Sequence, residues 1–322
     1  MSKSSQAFVI YRELGIIKNQ KDNTFTRDPI NSPGDRVPAT PDAVVSKDFR
    51  VNYSKSTCMR LYVPTTALNG SSKNLPLVVY FHGGRFICGS FDLEHTHDFC
   101  NRLARESNVV VASASYRQAP EFKLPAAYDD GEDALKWIKY SPDKEWIKSY
   151  ADLSNVFLMG TNSGGNVAYN VGLRSTEQDI TPLCIRGLIL HDPFFDGEER
   201  CASEVSHENK LDADICWNLC LPDGEDRDHQ YSNPTVGDGP DNMEKIRRLG
   251  WKVMVTGVRG ELLIERQRNV ANLFKEKGVD VFERFIFKGE SGNWFGCGGG
   301  EGRFLVVVVV VVPETRDGEN SK

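Results

Sequence analysis

The chain has 322 residues, 39% of them hydrophobic and 26% charged, which suffices for one large domain or two modest ones with a buried core and excludes global disorder. Its 39 Lys+Arg against 45 Asp+Glu leave a formal net charge of −6, whereas a free-standing nucleic-acid binder carries a basic surplus. The first 25 residues lack the apolar core and small-residue cleavage site of a secretory leader. The longest apolar run, residues 304–312, is nine residues long, well short of the ~20 that a membrane helix requires.

The eight cysteines are Cys58, Cys88, Cys100, Cys184, Cys201, Cys216, Cys220 and Cys297. None forms a CxxC pair, and zinc spacing is missing, so reduced, structural thiols and a cytoplasmic or nuclear address are expected. No metal or cofactor site is predicted. His95 and His97 stand two apart, which does not put both on one helix face.

In chain order, the first ~75 residues are polar and interrupted by a Pro/Gly-rich turn region at 31–41. Residues 58–64 alternate like a strand, and 69–73 read as a loop. Short apolar runs then recur at 75–81, 108–113, 155–160, 185–190 and 253–257, as strands buried on both faces do. Between them lie helical patterns at 97–105, 127–139, 165–174 and 266–277. Strand, turn and helix in repetition predict an α/β protein with a mostly parallel sheet flanked by helices. Residues 196–240, rich in Asp, Glu and Cys, break the alternation and read as an inserted cap, completed by the N-terminal ~50 residues. The domain is expected to span 1–295.

Two motifs carry chemistry. In Val156-Phe-Leu-Met-Gly160-Thr-Asn162-Ser163-Gly164-Gly165-Asn166 a strand passes through a glycine-flanked turn into a helix, the geometry of a nucleophile elbow. The frame Gly160-x-Asn162-x-Gly164 puts Asn162 at the nucleophile position; a shift by one puts Ser163 there. The segment His82-Gly83-Gly84-Arg85 ends an earlier strand, where an oxyanion loop belongs, its N–H groups acting with that of the residue after the nucleophile.

These residues resemble the plant carboxylesterases, α/β-hydrolases related to the hormone-sensitive-lipase group. Phe81-His-Gly-Gly-Arg-Phe86 is similar to that family's FHGGGF. Tyr116-Arg-Gln-Ala-Pro-Glu121 with Leu124-Pro-Ala-Ala-Tyr-Asp-Asp130 is similar to YRLAPE and LPAAYDD, and Gly160-Thr-Asn-Ser-Gly-Gly-Asn166 to GDSAGGN. Thr256-Gly-Val-Arg-Gly-Glu-Leu262 resembles the acid-residue loop; Asp192-Pro-Phe-Phe195 and residues 226–234 also resemble family segments. The likeness runs over about residues 5–295.

The resemblance implies a Ser-His-Asp esterase, and the departures bear on that chemistry. The trailing Gly164-Gly165-Asn166 aligns with the family's GGN, so Asn162 occupies the Ser position and Ser163 supplies an oxyanion-hole N–H beside Gly83 and Gly84. Glu261 falls at the triad acid. Asn293, in Gly292-Asn293-Trp294-Phe295, falls at the triad His, and no histidine follows His229. Arg85 replaces the third glycine of the oxyanion loop. Without a base a hydroxyl is a poor nucleophile, and an amide is poorer. His82 is read as a brace of its turn, His229 as locally bonded or solvated, and Asp129 and Asp130 as structural.

The expectation is therefore a carboxylesterase-like chain acting on small plant metabolite esters or related specialised metabolites, with ordinary Ser-His hydrolysis lost. The alternative is a non-catalytic small-molecule receptor of the gibberellin-receptor kind, or an inactive paralogue. A small-molecule ligand or substrate is the expected partner, with neither nucleic acid nor membrane. After Phe295 the sequence changes to a glycine tract, seven valines and a polar end at 313–322. That tail, 296–322, is expected to be poorly ordered, and a divergent or mis-assembled reading-frame end would account for it.

Overall fold

The computed structural model describes residues 16–18, 25–27, 43–70, 74–140, 144–206 and 210–287. Asn293 and the tail 296–322 lie outside the described residues. The strands are β1 (Ile16–Lys18), β2 (Phe25–Arg27), β3 (Val44–Asn52), β4 (Thr57–Pro64), β5 (Leu75–Phe81), β6 (Val110–Ala114), β7 (Ala151–Thr161), β8 (Ile185–His191), β9 (Lys252–Arg259) and β10 (Asp280–Phe287). The helices are α1 (Thr65–Leu68), α2 (Glu94–Ser107), α3 (Ala126–Tyr140), α4 (Lys144–Lys148), α5 (Ser163–Ser175), α6 (Ala202–Ser206), α7 (Lys210–Cys220), α8 (Gly239–Arg248) and α9 (Ile264–Glu276).

Eight strands form one sheet in the order β10-β9-β8-β7-β5-β6-β4-β3, and β1 pairs with β2 in a separate ribbon. From β10 to β6 all neighbours are parallel. Only β4 runs against its neighbours, β3 and β6.

Alternation along the strands divides the core into two layers. On β5, Leu77, Val79 and Phe81 join one hydrophobic cluster with Leu135 of α3, Val167 of α5 and Phe274 of α9. Val78 and Tyr80 of the same strand join the other, with Phe99, Cys100 and Leu103 of α2. Both faces are thus covered, which is why the inner strands read as unbroken apolar runs.

Two departures from expectation concern the margins. Residues 44–50, assigned to the cap, form instead the edge strand β3, where Val44 and Phe49 are buried while Lys47, Asp48 and Arg50 are exposed. A half-buried edge strand of mixed polarity is hard to tell from a loop in sequence. The edge strand β10 is equally faint, because most of its residues are only half-buried. Residues 196–240 contain helices and turns and, among the described residues, no strand.

Ion pairs tie that insertion to the body. The Asp196 carboxylate faces Arg227 and Arg266 at 3.5 and 3.8 Å. Arg266 of α9 donates to Glu204 of α6 at 2.7 Å, and Arg227 and Arg200 both donate to Asp214 at 2.5 Å. Among the described residues no helix is long and apolar enough to cross a membrane.

Candidate active site

The carboxyl ends of β5, β7, β8 and β9 share one edge of the sheet, the place where parallel α/β sheets carry their chemistry. Residues 82–90 follow β5, Asn162 follows β7, Asp192 follows β8, and Glu261 follows β9.

Asn162 turns between β7 and α5 with φ 53° and ψ −119°. A non-glycine residue at positive φ is held there by its surroundings. Here the constraint is steric. A Cβ at position 160 would collide with the Gly164 carbonyl, and one at 164 with the Phe81 carbonyl. Both flanks of Asn162 must therefore be glycine, whereas Ser163 has Thr161 on one flank. The carbonyl of Asn162 accepts from the N–H groups of Gly165 at 2.9 Å and Phe194 at 3.0 Å, and its own N–H donates to the His191 carbonyl at 2.9 Å.

Ser163 lies inside. It is fully buried, and its Oγ stands 3.3 Å from the Tyr116 hydroxyl. Because that tyrosine donates to the His82 carbonyl at 2.8 Å, the Ser163 hydroxyl is the remaining donor of the pair. A side chain so placed points away from the elbow's half-exposed turn.

The loop after β5 packs on the elbow: a Cβ on Gly83 would meet the Thr161 carbonyl at 3.0 Å and the Asn162 Cβ at 3.3 Å. Gly84 has φ 125°, a conformation L side chains avoid, and Arg85 and Phe86 follow at φ 54° and 65°. Gln118 Nε2 holds the loop's far end by donating to the Cys88 and Gly89 carbonyls at 2.8 and 2.9 Å. His82 Nδ1 faces the Gly83 carbonyl at 2.8 Å, which fixes the proton on Nδ1. Its ring stacks on Tyr116 at 4.3 Å, and burial pushes its pKa down to about 4. His82 is thus a neutral brace.

One contact joins the two motifs. The Arg85 backbone N–H donates to Asn162 Oδ1 at 3.2 Å. A backbone donor of the loop after β5 is therefore already occupied by the Asn162 side chain.

Asp192, in the segment Asp192-Pro-Phe-Phe195, carries no sequence signal that marks it as a site residue. Asp192 sits at φ 49°, its N–H donating to the Thr256 carbonyl at 3.2 Å. Its Oδ1 accepts from Gln267 Nε2 of α9 at 2.6 Å. Burial pushes its pKa up to about 6; the Gln267 hydrogen bond opposes this, and the Glu261 carboxylate pushes it further up. Two carboxyl groups thus follow the adjacent strands β8 and β9. Behind them His191, whose Nδ1 lies 2.6 Å from Thr256 Oγ1, is pushed down to about 4 by burial and stays neutral.

A buried aromatic cluster packs behind these loops. Phe194 stacks on Trp217 at 4.7 Å, and Phe86 lies 5.7 Å from the same indole. Asn166, one turn into α5, donates to the carbonyls of Phe194 at 3.1 Å and Tyr231 at 2.7 Å, linking the elbow helix to the inserted segment. His229 is bound locally, with the Tyr231 N–H donating to its Nδ1 at 3.2 Å. Asp130 takes Arg117 Nε at 2.9 Å, and Asp129 takes Arg174 at 2.7 Å, beneath these loops. Among the described residues no group of His, Cys, Asp and Glu could hold a metal ion.

Parallel sheet, strand-turn-helix elbow and glycine loop together define an α/β-hydrolase, and the family described as alpha/beta hydrolase fold matches residues 78–288. Carboxylesterase 20 of Arabidopsis thaliana is 54% identical over 300 residues, covering 88% of this chain and 90% of its own. Gibberellin receptor GID1B of the same plant is 32% identical over 302 residues, covering 87% and 81%. An esterase of Pyrobaculum calidifontis shares the fold with a TM-score of 0.65 at 22% identity, over 95% of this chain and 89% of its own. The chain belongs to the plant carboxylesterase family of the α/β-hydrolase superfamily.

Proposed function

We propose that this chain binds a small carboxylic acid or ester at the Gly83–Gly84–Arg85 loop and does not hydrolyse it by the serine mechanism. The reading rests on the Arg85 N–H hydrogen bond to Asn162 Oδ1. An elbow that presents an amide oxygen to the oxyanion donors has no nucleophile to offer, and any ligand carbonyl must compete for the same donor. Asn293 at the triad His position belongs to this proposal. Among the relatives, one is named a carboxylesterase and another a gibberellin receptor, so catalysis and recognition both have precedents by name.

The test pairs activity with binding. Purified protein is offered p-nitrophenyl acetate and a serine-directed fluorophosphonate, and its thermal unfolding is followed with a panel of small carboxylic acids and their esters. No turnover, no labelling and a raised melting temperature with at least one acid are expected. Labelling of Ser163 overturns the assignment of Asn162 to the nucleophile position, and a panel without any shift overturns the ligand class.

A second reading has its own observation. Asp192, pushed up by burial to about 6 and hydrogen-bonded by Gln267, has the protonation range of a general acid–base. On this reading the site performs proton transfer on its ligand rather than acyl transfer. Exchange of a ligand's α-protons into deuterated water, abolished by Asp192→Asn, would support it; exchange that survives the change excludes it.

A further inference from the structure

The elbow does something to Asn162 that an open chain does not. Its ψ of −119° eclipses the Cα–Cβ bond with the bond to the next nitrogen, because the substituents of a tetrahedral L-Cα stand a third of a turn apart. The Ser163 nitrogen is thereby coplanar with Cα and Cβ of residue 162, which is the backbone geometry of a five-membered succinimide ring. Chains seldom visit this region, since it is sterically disfavoured for residues with a side chain. Here the glycines at 160 and 164 and the packing around them hold it permanently.

Two further features serve the same reaction. Attack on the side-chain amide carbon places negative charge on Oδ1, and Oδ1 already accepts the Arg85 N–H at 3.2 Å. Ser163 is the first residue of α5, so its N–H has no i−4 carbonyl within the helix, and the positive end of the helix favours loss of that proton. Asn162 itself is half-buried, so water can reach it.

The geometry points to Asn162 as a site of self-catalysed deamidation, in which the oxyanion loop of this fold acts on the protein's own side chain. The Ser163 nitrogen forms a bond to Cγ of Asn162, the Cγ–Nδ2 bond breaks, and the Ser163 amide proton leaves with the nitrogen as ammonia. One water then adds to a ring carbonyl and the bond from that carbonyl to the Ser163 nitrogen breaks. Opening at Cγ yields aspartate at position 162; opening at the main-chain carbonyl yields isoaspartate. The sum is one water consumed and one ammonia released, with no oxidant or reductant. The product places a carboxylate at the elbow, so the turn acquires a negative charge beside the Arg85 loop. This modification does not depend on the ligand proposed above.

The experiment incubates the purified full chain in heavy-oxygen water, under native conditions and in urea, and reads label in the tryptic peptide 149–174 by fragmentation mass spectrometry. That peptide also contains Asn155, Asn166 and Asn170 as internal controls. Label is expected at position 162 alone in the folded protein, at a rate about tenfold or more above that in urea, since the ring-closing geometry is preset. The rate should rise as the buffer is made more alkaline, because the attacking amide must lose its proton. Asn162→Gln, whose ring would need one more atom, should remain unlabelled over the same period. A folded rate equal to or below that in urea overturns the inference, as does equal labelling at Asn155, Asn166 or Asn170.

Discussion

The backbone N–H of Arg85 donates to Oδ1 of Asn162 at 3.2 Å, across 77 positions of sequence. The contact joins the loop after β5 to the turn after β7, and it turns two separate motifs into one site. It also bears directly on what a serine at position 162 would accomplish.

Asn162→Ser alone should leave p-nitrophenyl acetate hydrolysis at the level of the parent chain. A hydroxyl at the elbow regains its oxyanion donors but still lacks a base. Adding Asn293→His to that change should raise the rate by up to roughly 10⁶-fold, the scale on which triad members act together. Full activity from the single change would contradict the assignment of Asn293. Steady-state kinetics of the two variants decide the matter.

Gly164→Ala should destabilise the fold by about 3 kcal/mol. The added methyl would collide with the carbonyls of Phe81 and His82, which are backbone atoms and cannot rotate away. Gly224→Ala is the control. That glycine has open space around it, and its cost reflects only a φ of 88°. Urea unfolding of both variants gives the comparison, and an equal loss in the two would refute the packing account of the elbow.

Asp130→Ala should cost about 3–5 kcal/mol, since it strands a partly buried cation rather than removing a pair. The Asp130 side chain is fully buried, accepting Arg117 Nε at 2.9 Å and facing Lys55 at 3.3 Å. Lys123→Ala, which removes an exposed pair with Asp223, should cost less than ~1 kcal/mol. Chemical denaturation of both variants measures the difference.

Asp192→Asn should stabilise the protein at neutral pH and do little in acid. The folded pKa is raised from 3.8 to about 6. The folded state therefore binds the proton more tightly than the unfolded one, so this group's contribution is complete below about pH 4 and is lost as pH rises through about 6. At neutral pH the parent carries a charge that burial disfavours, worth about 3 kcal/mol by the linkage relation. His82 and His191, both lowered from 6.5 to about 4, act in the opposite sense: their contribution is present above pH 6.5 and is lost as pH falls through about 4. The difference between variant and parent isolates the carboxyl. Unfolding curves across that window should diverge toward neutral pH; parallel curves would rule out the buried-carboxyl account.

Much of the fold was legible in sequence because it follows from local periodicity. The runs at 75–81, 155–160 and 185–190 fall within β5, β7 and β8, which have cover on both faces and so contain few polar residues. The edge strands β3 and β10 were missed for the complementary reason, since a half-exposed strand mixes charged and apolar residues. The elbow frame was legible too, because a turn this tight admits only glycine at 160 and 164, and that requirement is written in two letters. Asp192 was not. One carboxyl among 45 Asp and Glu shows its burial, its Gln267 partner and its pKa of about 6 only when strands β8 and β9 stand side by side.

The sequence by itself determined the architecture, the family likeness, and the presence of Asn at the elbow, because each rests on residue identity and spacing along the chain. The tertiary structure decided where the side chains of those residues go. It buried the Ser163 hydroxyl against Tyr116, set Arg85 N–H on Asn162 Oδ1, and put Gln267 Nε2 on Asp192 Oδ1. Those contacts join residues 47, 77 and 75 positions apart. Hydrogen bonds and burial act through space, and only the folded sheet brings such distant segments to one edge.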